Sequence, residues 1–293
     1  MKMKIGAISI LSLIFNLALN AKQTTFKEPK LLWKVSDSLK NPESVVFDAN
    51  TNSYYVSNVN GDGNVKDGNG FISQIDASGK IKKAQWATGL NAPKGLAIQG
   101  DSLWVADIDE LVEFDLKNGK VLKKLSVNGA QFLNDVAANK DLVFVSDTLG
   151  NSIYKYDGKT LSKVTSKENF ESPNGLNIQG ERLIVASWGE IKGFNDVPKA
   201  PGTLYSINFD GSKKSPLSKG FGNLDGLEKS NDSYIVSDWV NGKLYKVNPK
   251  GEATVLLQEE QGLADITLKV ENGKTIAILP LMVKNQVAAY EID

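Results

Sequence analysis

Six short segments of the chain place one residue at the same point, just ahead of an apolar run. These residues are Glu43 in PESVVFD, Lys94 in PKGLAIQ, Asn134 in LNDVAAN, Asn174 in PNGLNIQ, Asp225 in LDGLEKS and Ala264 in ADITLKV. Four of the six carry side-chain oxygens, and Glu43 and Asp225 are carboxylates. Carboxylate and amide oxygens are what Ca²⁺ prefers, about six to eight of them in loose geometry, completed by water. Two carboxylates also balance a divalent charge. Taken singly, an Asn or Asp before glycine also caps a turn by bonding its own backbone; recurrence at one equivalent slot favours a shared site. Lys94 is the exception. A cation in the ring would pair with Glu43, take the place of a metal, or bind an anionic ligand.

The rest of the composition narrows the chemistry. The 293 residues contain no cysteine and no histidine. Disulfides, thiol nucleophiles, Cys- or His-ligated metals and His-based triads are therefore excluded, as is the usual general base near neutral pH. Lys+Arg and Asp+Glu both number 34, so no basic excess supports nucleic-acid binding. Catalysis would fall to carboxylates, amides, Lys, Tyr, Ser/Thr or an oxygen-bound metal.

The elements that must position the slots follow from the repeat around them. After each slot comes a second apolar segment (SYYVSN, SLWVAD, LVFVSD, RLIVAS, SYIVSD, KTIAIL), then a third, separated by Gly, Asn and Asp turns. A fourth strand closes five of the units: KKAQWAT, LKKLSV, LSKVTS, KSPLSK and ATVLLQ. The sixth unit ends at Asp293 without one, and LLWKVSD at 31–37 stands ready to supply it. No convincing amphipathic helix interrupts the pattern. The expected fold is all-β, a six-bladed β-propeller closed by an N-terminal strand pairing with the last blade, which removes open sheet edges. A parallel β-helix fits less well, because its coils are shorter than these units. Two units are long, 51 residues from Glu43 to Lys94 and from Asn174 to Asp225, against 40 for the two between. The extra residues lie in VNGDGNVKDGNG (59–70) and EIKGFNDVPKAPG (190–202), on the face of the slots, where loops on a rigid scaffold carry function.

Other features read as architecture. The second strands end in Asn58, Asp107, Asp147, Ser187, Asp238 and Pro280. The expectation is a buried Asp that accepts backbone N–H bonds from the neighbouring blade. Asn58-Val-Asn60-Gly-Asp62-Gly63 has the alternating oxygens of a calcium loop, but Asn69 stands where the bidentate Glu belongs, so it reads as a solvated loop. Tyr54, Trp104, Trp188 and Trp239 fall in or after second strands and read first as blade packing, with flooring a pocket the alternative for Trp188 and Trp239 at strand ends.

Glu in PESVVFD, Asn-Asp in LNDVA, Pro-Asn-Gly in SPNGL and Asp-Gly in NLDGL together resemble the senescence marker protein/gluconolactonase (regucalcin-like) family over roughly residues 40–293. The resemblance implies a six-bladed propeller with one divalent cation on its axis, calcium first, with zinc or manganese as other choices. It assigns Glu43, Asn174 and Asp225 as metal ligands and puts Asn134 near the substrate. It makes Asp225 catalytic as well, activating the attacking water of a lactone. Lactonase members carry an Arg two residues before the third-blade Asn; Phe132 stands there, so the substrate-binding guanidinium is absent and Lys94 is the cation left for the substrate.

Met1-Lys2-Met3-Lys4 followed by the apolar stretch Ile5–Leu19 reads as a signal peptide over 1–21, with Ala21 before the cleavage point. The expectation is a single domain over 22–293, exported to the periplasm or secreted, monomeric, and acting on a small molecule. Two functions fit: a divalent-metal-dependent hydrolase of a lactone or related ester, and a non-catalytic ligand-binding or protein-interaction propeller.

Overall fold

The computed structural model describes residues 28–293; the signal-peptide reading of 1–21 lies outside the described residues. Six four-stranded antiparallel sheets succeed one another along the chain. Their innermost strands are Pro42–Asp48, Pro93–Gln99, Leu133–Ala138, Pro173–Gln179, Leu224–Ser230 and Thr267–Glu271. Each abuts the next, and the last abuts the first, so the sheets close into a six-bladed propeller. Hydrogen-bonded strand pairing also secures the closure. Lys30–Val35 pairs antiparallel with Gln286–Glu291 as the outer strand of blade six, so both ends of the described chain lie in one sheet. Among the described residues, no helix is long and apolar enough to cross a membrane.

The core is distributed between blades rather than gathered at a centre. One cluster joins Tyr55, Ile72 and Trp86 of blade one to Leu96, Val105 and Phe114 of blade two. Equivalent clusters follow around the ring, and the last joins Ile276, Ile278 and Ala289 of blade six to Val45, Tyr54 and Val56 of blade one. Apolar residues on both faces of each middle strand are thus buried against two neighbours, the burial pattern expected of an interior strand. The outer strands are weaker: Leu161–Lys163 in blade three and Ser215–Pro216 in blade four are shorter than the sequence pattern implies.

The feature that shapes the site recurs at the entry of the inner strands. In blades one to five the register breaks between the first strand residue and the fourth: Pro42/Val45, Pro93/Leu96, Leu133/Val136, Pro173/Leu176 and Leu224/Leu227. Two residues of the inner strand therefore oppose one of the middle strand, which is a β-bulge. In three blades that opposing residue is a serine whose Oγ accepts the freed N–H: Ser57 from Ser44, Ser146 from Asp135 and Ser237 from Gly226. Each bulge presents a slot residue and its successor toward the axis.

Packing at the bulge explains the glycines that follow three of the slots. A Cβ on Gly175 would collide with Asp225 O, one on Gly95 with the Asp135 backbone, and one on Gly226 with Ile266 N. Asn174-Gly175 is therefore not a hairpin turn; glycine is present because adjacent blades approach too closely for a side chain. Gly175→Ala is expected to lower stability by about 3 kcal/mol, since the obstruction is backbone, a fall of roughly 6–12 °C in Tm. Gly193→Ala, where a Cβ meets nothing within 4 Å, should stay near wild type. Equal melting temperatures for the two variants would contradict this account of the bulge.

Candidate active site

The five bulges and the entry of blade six bring the six slot residues to one end of the channel, each almost completely shielded from solvent: Glu43 5%, Lys94 2%, Asn134 5%, Asn174 0%, Asp225 3% and Ala264 0% exposed. Glu43, Lys94, Asn134 and Asp225 line a cavity of about 690 Å³; Asn174 is fully buried and does not line it. Both long loops join the cavity wall, through Asp62, Gly63 and Asn64 of one and Phe194, Asn195 and Asp196 of the other.

The oxygens of this ring are poorly matched by the protein. Glu43 Oε2, Asn134 Oδ1, Asn174 Oδ1 and Nδ2, and Asp225 Oδ1 are buried with no protein hydrogen-bond partner. Leaving one such group unmade costs about 1–3 kcal/mol, so five on one ring mark a place meant for something else. The amide of Asn134 is held in orientation, because its Nδ2 donates to Thr148 Oγ1 at 3.2 Å while Thr148 donates to Pro173 O at 2.9 Å.

Lys94 is placed differently from its neighbours. Its Nζ donates to Gly63 O and to Ala92 O, both at 2.9 Å, and lies 4.2 Å from the centroid of the Phe132 ring. Burial lowers its pKa to about 8, against the opposing pull of Glu43, Asp107 and Asp62. Burial likewise pushes Glu43 well above the usual carboxylate range, reinforced by Asp225 and Asp265 and eased by Lys94. Asp225 is raised in the same direction by burial, then by Asp265 and Asp238. A divalent cation among Glu43, Asn174 and Asp225 would offset that repulsion and satisfy the orphaned oxygens, so the donor set fits one. Among the described residues no group of three or more carboxylates is placed to hold a metal; the fit depends on the amide oxygens.

The residues after the slots make a second, deeper ring that the sequence reading passed over. Asp135 accepts Val136 N on one oxygen and Leu176 N on the other, each at 2.6 Å. Asp265 accepts the Ser44 hydroxyl at 2.5 Å, and burial raises it to about 7. Beyond it Glu228 accepts Thr267 Oγ1 at 3.2 Å and Asn177 Nδ2 at 3.3 Å; burial, then Asp265, raises it to about 8. Extending the repeat alignment by one column would have exposed Asp135 and Asp265.

The second-strand series is architectural, with one change. Asp107 accepts the backbone N–H groups of Asn91 and Ala92, and Asp147 those of Gln131, Phe132 and Gly150. These donors lie in the segment leading into the same blade or in the turn just after the strand, not in the neighbouring blade. Asp107 and Asp147 thus fix the approach to the slots of Lys94 and Asn134, while Asp238 accepts Asn241 N in the turn after its strand. The calcium-like segment is a loop closed by its own bonds, with Asp62 Oδ1 accepting Asn64 N at 2.8 Å. Trp188 and Trp239 do more than pack blades, since both line the cavity. Phe132 and Phe194 line it too; the sequence showed Phe132 as a missing arginine and gave no sign of an aromatic wall.

No family model matches the chain, and no curated protein matches it. Among solved structures the fold is common, with 1030 matching chains, so it carries no activity by itself. One of them, a streptogramin B lyase structure, aligns over 91% of this chain and 97% of its own, with a TM-score of 0.61 at 12% identity. At that identity the likeness shows the propeller fold and nothing finer.

The buried acids generate a pH prediction. Glu228 binds its proton more tightly in the folded chain, with a pKa of about 8 against an ordinary 4.5. Stability is therefore whole below pH 4.5 and drains as pH rises through about 8, because the unfolded chain releases that proton first. Glu228→Gln should match wild type at pH 4.5 and exceed it by roughly 4–5 kcal/mol at pH 9, read by urea unfolding. Parallel stability curves across that range would mean Glu228 titrates as a solvated acid.

Proposed function

We propose that the protein is a divalent-metal-dependent hydrolase of a lactone or related ester, acting in the cell envelope or outside it, with calcium the first choice of cation. The observation that carries this reading is the set of buried, partnerless oxygens on Glu43, Asn134, Asn174 and Asp225 at the base of one cavity. Glu43, Asn174 and Asp225 would hold the cation, which when bound would polarise the ester carbonyl and stabilise developing negative charge. Asp225 has a second role, accepting the proton of the attacking water. Asn134, with its Nδ2 tied to Thr148, presents Oδ1 to a donor on the substrate. Lys94 contributes positive charge beside Glu43.

A second reading is favoured by Lys94 and by the presence of only two carboxylates in the ring. In it the propeller binds a ligand without turning it over. Calorimetric titration with CaCl₂, alongside hydrolysis of δ-valerolactone and phenyl acetate, separates the two. The hydrolase reading expects one cation per chain and metal-dependent turnover. Asp225→Ala should weaken cation binding at least 100-fold. Asp225→Asn keeps an oxygen ligand and loses the base, so binding should survive in weakened form while turnover drops by about 10²-fold or more. A chain that takes up no divalent cation at millimolar concentration, and hydrolyses neither ester, belongs to the second reading.

A further inference from the structure

The cavity is divided by chemistry. Its partnerless polar atoms lie at the base, on Glu43, Asn134 and Asp225, with Asn174 beneath. Above them runs a continuous aromatic wall. Phe132 and Phe194 stand edge to face with centroids 4.6 Å apart; Phe194 and Trp188 do the same at 5.7 Å; Trp188 and Trp239 are tilted at 6.1 Å. These separations are those of mutually stabilising rings, so the wall is a formed surface. Phe194 is 40% exposed and Val197, on the same loop, 90%.

The ring faces offer no hydrogen bonds, and three of the polar side chains around them, Asp62, Asp196 and Asn223, are engaged in holding their own loops; Asn64, Asn195 and Gln261 complete the polar lining. Asp62 accepts Asn64 N, Asp196 Oδ2 accepts Lys192 N and Gly193 N, and Asn223 Nδ2 donates to Trp188 O. The Lys94 ammonium is bound by two backbone carbonyls and covered by Phe132. A polyhydroxylated ligand would therefore lose water along this wall without recovering its hydrogen bonds, which is unfavourable. An anionic ligand would meet Glu43, Asp62, Asp196 and Asp225 against one ammonium already engaged.

We propose that the cavity takes an uncharged ligand with a flat aromatic body, which lies against the Phe132–Phe194–Trp188–Trp239 wall, and a small oxygen-bearing head, which reaches the slot oxygens. The inference rests on reading this cavity as the ligand site and names the class of molecule it accepts. A volume of about 690 Å³ lies within the range of small-molecule sites.

The test uses 2-naphthamide, which has both parts and resists hydrolysis, with sorbitol and glucono-δ-lactone as polyhydroxylated comparisons. Full-chain protein is titrated by calorimetry, with quenching of Trp188 and Trp239 emission as a second readout. The expected result is saturable binding of 2-naphthamide and at least tenfold weaker binding of both polyols. Phe194→Ala, on an exposed loop where folding is not at stake, should weaken 2-naphthamide at least fivefold; Trp188→Phe should retain most of the affinity. Tighter binding of a polyol, or unchanged affinity in Phe194→Ala, would overturn the proposal. Uptake of calcium without affinity for 2-naphthamide would overturn it while leaving the hydrolase reading intact. Binding of 2-naphthamide by a chain that takes up no divalent cation and hydrolyses neither ester would support it and remove the hydrolase reading.

Discussion

The bulge at the entry of five of the six inner strands is the constraint on which the rest of this molecule depends. A regular antiparallel ladder would alternate side chains between the faces of a blade and send at most one of two consecutive residues toward the axis. Inserting a residue turns two consecutive positions inward. That produces the slot ring of Glu43, Lys94, Asn134, Asn174 and Asp225 and, one residue on, the position of Asp135; Asp265 joins it from the entry of blade six, where its N–H donates to Glu43 O. The same distortion frees a backbone N–H, which the middle-strand serines Ser57, Ser146 and Ser237 accept in three blades. It also crowds neighbouring strands, so Gly95, Gly175 and Gly226 follow three of the slots.

Converging on an axis concentrates acids where water is scarce. The deeper acids are provided for: Asp135 by two backbone N–H groups, Asp265 by Ser44 and Glu228 by Thr267 and Asn177. Glu43 and Asp225, at the cavity, each keep an oxygen without a protein partner. The contrast matters because Asp135 and Asp265 are as buried as Glu43 and Asp225. Where the fold has donors to give, it gives them to the inner acids, which tie blade three to four, six to one, and five to four and six. It withholds them at the end of the channel that opens to the long loops, which is the arrangement of a site kept available for a ligand or a cation.

Much of this was legible in the sequence. Six units, the N-terminal closing strand and the face carrying the long loops all follow from a period repeated with its slots intact. The slot residues were equally readable, because Glu43, Asn174 and Asp225 occupy one alignment column. What escaped had no uniform column. Asp135 and Asp265 share theirs with Ser44 and three glycines, so no single residue type repeats. Glu228 acquires its character only from the channel it faces. The aromatic wall is assembled from Trp188 and Trp239, equivalent positions just after second strands, Phe132 ahead of a slot and Phe194 within an insertion, three kinds of position that the repeat does not relate to one another. Outer strands were overextended in blades three and four because apolar alternation continues past the point where pairing stops.

Lys94 shows how the departures from the repeat fit together. An ammonium at a slot of an otherwise oxygen-bearing ring needs acceptors, and the repeat supplies only Ala92 O from its own strand entry. The second acceptor, Gly63 O, comes from the long loop of blade one, and the covering ring is Phe132, which stands ahead of the next slot. Lys66 secures the same loop to blade two through Asp109 at 2.6 Å. The lysine, the insertion and the phenylalanine are therefore one device. The insertion provides the carbonyl that lets a buried lysine stay charged, the lysine draws that loop down over the channel mouth, and Phe132 shields the pair while offering its other edge to Phe194. A chain with a short first loop would have no partner for this ammonium, and a chain without the ammonium would have less to hold the loop across the cavity.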